Sequence, residues 1–104
     1  MKVSIFLFGV YFGGDMNNFY GILKIEKISE VIFDYHNKNK LYFYITCIDI
    51  DNPKYNSKII LKCDEYLIDG IYSKLEIGND VFVIGKVAPT PIYNIEVKHL
   101  ELVL

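Results

Sequence analysis

The sequence predicts an all-β domain with one short helix, and three observations carry that expectation. Apolar and polar residues alternate with period two through most of the chain, in runs rich in β-branched and aromatic side chains. Clusters of Gly, Asn, Asp and Pro interrupt those runs at spacings suited to short strands. Only the stretch that follows Asp64 changes from a period of two toward the helical 3.6.

Taken in order, residues 3–12 form an apolar run closed by Gly13-Gly14, which reads as a strand and a turn. The run is far short of the roughly 20 apolar residues that a membrane-spanning helix needs, and no small-x-small cleavage site follows it. Neither a signal peptide nor a membrane anchor is therefore expected here. Residues 19–35, rich in Ile and aromatics, read as one long, bent strand. His36-Asn37-Lys38-Asn39-Lys40 is a polar hairpin turn into a strongly β-prone strand over residues 41–50. A loop over residues 51–57 leads to a short strand over 58–63. Leu67, Ile68, Ile71 and Leu75 then share one helical stripe, with Asp64 as the expected N-cap. Gly70 inside that stripe costs about 1 kcal/mol relative to Ala, so the helix should be short and held by packing. Gly78-Asn79-Asp80 turns the chain into a strand over 81–87. Pro89-Thr90-Pro91 breaks it, and residues 92–104 form the last strand.

Three strands, a helix and two strands, in that order, match a five-stranded Greek-key barrel of the OB-fold type, with an extra N-terminal strand. An SH3-like barrel lacks the helix, and an immunoglobulin-type sandwich needs more strands. The 104 residues leave room for one domain. Residues 1–15 would be the additional strand and turn, and residues 16–104 the barrel.

Composition narrows the function. Hydrophobic residues make up 52% of the chain and charged residues 23%, which indicates a globular rather than a disordered chain. Nine Tyr and seven Phe stand against no Trp, and every one of the eleven basic residues is Lys. Without Arg there is no bidentate fork to read a guanine edge, which argues against sequence-specific duplex recognition. The net charge of -2 conceals a gradient: -1 over residues 1–37, +3 over 38–62 and -4 over 63–104. A polyanion would sit on the basic middle, because only local phosphate neutralisation matters for backbone binding. Cys47 and Cys63 form no CxxC pair and have no ligand-like spacing to His36 or His99, so they read as buried free thiols of a cytoplasmic protein. No paired catalytic carboxylates, nucleophilic triad, metal cluster or phosphate-cradling loop is present. The expectation is a non-enzymatic protein with no cofactor and no metal.

Strand alternation then separates inside from outside. Leu41, Phe43, Ile45 and Cys47 suit the core, as do Ile59, Leu61 and Cys63. The opposite face carries Tyr42, Tyr44 and Thr46 on one strand and Lys58, Ile60 and Lys62 on the next. Aromatic rings beside ammonium groups suit single-stranded nucleic acid, whose bases stack on the rings while the cations follow the phosphates. Tyr55 and Lys54 in the intervening loop, and Lys38 and Lys40 at the hairpin, complete the candidate nucleic-acid-binding set. Tyr35 and His36 are secondary candidates, and Tyr93 could equally cap the barrel.

From Met16 onward the chain resembles the bacterial single-stranded DNA-binding proteins and the related primosomal replication protein B. Met16-Asn17-Asn18-Phe19-Tyr20-Gly21-Ile22-Leu23 is similar to the family's opening strand. Residues 35–43 are similar to its first hairpin, and residues 58–87 to its strand, helix, turn and Gly-ended strand. The resemblance implies single-stranded DNA (or RNA) as ligand, bound with little sequence specificity in replication, recombination or repair. It also implies a dimer or tetramer. The sequence departs from the family in having no Trp platforms, in a short segment over 88–92 where the family has a long loop, and in last residues unlike the family's acidic tip. The acidic last third and the lack of Arg point to an alternative, an OB-fold subunit whose aromatic face docks a partner protein.

Overall fold

A computed structural model of the chain describes residues 18–36, 40–49, 58–88 and 90–103. The expected strand over 3–12 and its Gly-Gly turn lie outside these residues, as do Lys38, Lys54 and Tyr55. Six strands, β1 (Asn18–Ile28), β2 (Ile32–Asp34), β3 (Lys40–Asp49), β4 (Lys58–Asp64), β5 (Asp80–Val87) and β6 (Ile95–Val103), make up most of what is described. Between β4 and β5 lie a one-turn helix, α1 (Tyr66–Gly70), and a 3-10 turn over Tyr72–Lys74. The chain is thus mostly β with one short helix.

The strand pairings close on themselves. β1 pairs antiparallel with both β3 and β5, β3 with β4, and β5 with β6. A short parallel contact, Leu61 opposite Ile95 and Lys62 opposite Glu96, joins β4 to β6 and completes the ring. The short β2 pairs antiparallel with the first residues of β3, Asp34 opposite Lys40 and Ile32 opposite Tyr42.

Alternation along each strand sends one face inward. Phe43, Ile45 and Cys47 of β3 and Leu61 and Cys63 of β4 are fully buried, as the period-two pattern predicts. Leu23 and Ile25, Val81 and Val83, and Val97 meet them from the other strands. Leu41 and Ile59 are only half-buried, because they lie toward the ends of their strands. Leu67 and Leu75 cover the core from the helical segment, and the Tyr72 ring meets Phe43 edge-on at 4.7 Å. Gly85 is required where β6 bulges against β5, since a Cβ there would lie 2.5 Å from the Glu96 carbonyl oxygen. Gly78, at φ 95°, makes the turn into β5 that the sequence predicts.

Three expectations are corrected. Residues 19–35 are two strands, not one. Ser29 breaks them by giving its N–H to the Tyr44 carbonyl at 2.9 Å, while its hydroxyl accepts the Tyr44 N–H at 2.8 Å. A side chain thus substitutes for a ladder partner, as short polar residues can. Asp64 does not cap the helix; it ends β4 opposite Tyr42. Glu65 holds the N-cap position without a side-chain cap, because its carboxylate accepts the Leu41 N–H instead. The last strand starts at Ile95 and not at residue 92, since Ile92 gives its N–H to the Thr90 hydroxyl in a turn.

Candidate nucleic-acid interface

The outer face of β3 and β4 is assembled by register. Tyr44 lies directly opposite Lys62, and Tyr42 opposite Asp64. Tyr42 and Tyr44 are successive side chains on the same face, and their rings meet edge-on with centroids 5.4 Å apart. Tyr93 reaches this face from the turn before β6, with its ring 6.1 Å from that of Tyr44 and tilted by 36°. The Lys62 ammonium lies between two of the rings, 4.8 Å from the centroid of Tyr42 and 5.4 Å from that of Tyr93. Contacts of this kind contribute roughly 0.5–1 kcal/mol at exposed sites. They hold the cation over a surface of aromatic rings without neutralising it.

Tyr93 owes its place to Asn94. The Asn94 N–H donates to the Ile60 carbonyl at 2.8 Å, its Oδ1 accepts the Ile60 N–H at 2.7 Å, and its carbonyl accepts the Ala88 N–H at 2.9 Å. These bonds continue the parallel β4–β6 contact by one residue and seat the turn over the face. Burial raises the Tyr44 hydroxyl pKa above its usual value, with smaller contributions from Tyr42, Tyr93 and Asp34. The phenol is therefore neutral at physiological pH and presents an uncharged ring.

Five of the eight candidate residues fall among those described. Tyr42, Tyr44 and Lys62 are brought together, and Lys40 is exposed on the same face one alternation beyond Tyr42. Lys58 is set apart: it stands four residues from Lys62, about 13 Å along the strand, and pairs with Glu26. Glu26 sits where β1 slips register against β3, between Ile25 and Lys27.

Charge behaves differently in space than along the chain. Asp34 lies opposite Lys40, Asp64 opposite Tyr42, and Glu96 beside Lys62. These acids, together with Glu26, offset the positive segment that the sequence suggests. What singles the face out is its rings, with Lys62 and Lys40 as the candidate lysines that no acid pairs among the described residues.

Two residues were not among the candidates. Tyr93 is open in the sequence between this face and a barrel cap, and Lys27 lies in the segment 1–37, outside the basic middle. Lys27 lines a cleft of about 210 Å³ beside Tyr44, together with Ser29, Thr46, Ile60 and Ile92. A larger groove of about 400 Å³ runs between α1 and β6, lined by Tyr66 but by none of Tyr42, Tyr44 and Tyr93.

Cys47 and Cys63 are buried free thiols, and burial pushes the Cys47 pKa up to about 12. No group of three or more His, Cys, Asp or Glu among the described residues could hold a metal ion. None of their helices is long and apolar enough to cross a membrane. The chain matches no protein-family model, no curated protein and no solved structure.

Proposed function

We propose that this chain is an OB-fold module that binds single-stranded DNA with little sequence specificity, through the outer face of β3 and β4. The observation that carries the reading is the seating of the Lys62 ammonium between the rings of Tyr42 and Tyr93, with Tyr44 packed against both. Rings of this kind offer bases a stacking surface worth roughly 1–3 kcal/mol per base, and every base has a face to stack. The cation beside them suits the phosphate that each stacked base brings along. The OB-fold assignment is supported by the closed ring of pairings β1-β3-β4-β6-β5, by its one parallel contact, and by the helix between β4 and β5. The resemblance of residues 16–104 to bacterial single-stranded DNA-binding proteins agrees with both.

The offsetting acids favour a second reading, in which the same rings dock a partner protein. Titration of a fluorescent oligothymidylate at low salt separates the two. The nucleic-acid reading expects saturable binding that weakens with added salt. No binding at the lowest salt would leave the protein-docking reading in its place.

A further inference from the structure

The cleft beside Tyr44 has a composition unlike the rest of the face. Two aliphatic residues, Ile60 and Ile92, line it together with Tyr44, Ser29 and Thr46. The Ser29 hydroxyl is engaged by the Tyr44 N–H and the Glu30 carbonyl, whereas the Thr46 hydroxyl makes no hydrogen bond among the described residues. Lys27 stands at this cleft, opposite Thr46 in the β1–β3 register, and no acid among the described residues pairs with it. Its position follows from the register slip after Ile25. At about 210 Å³ the space is smaller than the roughly 300 Å³ at which drug-sized sites begin. Its apolar walls, one free hydroxyl and one free cation suit a single flat ring that carries an anion.

We infer that this cleft takes one nucleotide of the bound strand, with the base against Ile60, Ile92 and Tyr44 and its phosphate on Lys27. The inference rests on the single-strand reading above. It adds that the strand crosses from β3 toward the register slip of β1 instead of running along β4 to Lys58. Lys58 is already held by Glu26, so the free cation at the end of the ring row is Lys27. Tyr44 serves both parts of the path, since it packs within the ring cluster and also lines the cleft.

The test compares four proteins, wild type, Lys27→Gln, Ile92→Ala and the double variant Tyr42→Ala with Tyr44→Ala, titrated with oligothymidylate over a range of salt. The Lys27 and Ile92 side chains are exposed, so the fold should survive their replacement, and circular dichroism checks that it does. Lys27→Gln should weaken binding and flatten the salt slope by about 0.7, the share of one phosphate on a single strand. Ile92→Ala should weaken binding about fivefold, the lower end of one base's stacking contribution, with the salt slope unchanged. If wild type binds and Tyr42→Ala with Tyr44→Ala abolishes it, while Lys27→Gln and Ile92→Ala bind as wild type, the cleft is empty in the complex and the inference fails alone. If wild type does not bind, the functional reading fails and the inference with it.

Discussion

Asn94 grips Ile60 from two sides, accepting its N–H on Oδ1 at 2.7 Å and donating its own N–H to the Ile60 carbonyl at 2.8 Å. The two residues lie 34 positions apart in the chain. Through this pair the turn that carries Tyr93 is tied to β4, the strand that carries Lys62. Asn94→Ala keeps the backbone bond and loses the side-chain one, leaving the Ile60 N–H without its acceptor. Stability should fall by about 0.5–1.5 kcal/mol in urea denaturation, and oligonucleotide affinity should fall with it as Tyr93 loses its seat. Asn94→Asp retains an acceptor and should restore much of both. Full affinity in the Ala variant would show that Tyr93 is not part of the binding surface.

Removing Tyr42 and Tyr44 together tests the ring cluster directly. Replacement of both by Ala should weaken single-strand binding by about 2–6 kcal/mol if each ring stacks one base. Both lie outside the core, so the variant should fold, with some stability lost from the edge-on Tyr42–Tyr44 contact. Isothermal titration of the folded variant provides the measurement. Unchanged affinity would reduce the tyrosines to ordinary strand residues.

Two lysines on one strand are expected to behave differently. Lys62 stands over two rings with no acid bound to it among the described residues, while Lys58 is paired with Glu26. Lys62→Gln should therefore reduce the salt slope of binding by about 0.7, and Lys58→Gln should change it much less. Slopes measured from low to moderate salt decide this. Equal effects would mean that Lys58 leaves Glu26 for the ligand.

Alkaline pH should destabilise the fold through its buried thiols. The Cys47 pKa rises from 9.0 to about 12 because burial disfavours the thiolate, and Cys63 is displaced in the same direction. A group whose pKa is raised by folding contributes stability that is complete below its unfolded value and is lost as pH rises through its folded one. For Cys47 the loss begins near pH 9 and continues to about pH 12. It amounts to at most about 1.4 kcal/mol per pH unit. Urea denaturation at pH 8 and pH 10.5 should show it, and Cys47→Ala should lessen the difference. Native protein at pH 8 should also resist thiol reagents that label the unfolded chain; rapid labelling of the native state would contradict the buried assignment.

Inside and outside were legible in the sequence because the pleat is a local property. A side chain at position i faces the same way as that at i+2 whatever the strand pairs with. Phe43, Ile45, Cys47, Leu61 and Cys63 could therefore be assigned to the core, and Tyr42, Tyr44 and Lys62 to a common outer face, without knowledge of the fold. The turn at Gly78 was legible for a similar reason, since its chemistry is contained within a few residues.

What the sequence left open depends on contacts between distant segments. Alternation could not reveal that Ser29 would take ladder bonds from Tyr44, so one expected strand became two. Asp64 had the chemistry of an N-cap, but pairing with β3 kept it in β4. The positive segment around Lys62 was a property of chain order; acids from β1, β2 and β6 offset it once the strands were placed. Tyr93 and Lys27 reached the face only through the β4–β6 contact and the register slip of β1. The sequence by itself determined which side chains point outward, because that follows from each residue's immediate neighbours. Tertiary structure alone decided which of them meet, because strand order and register are set by the burial of the whole core at once.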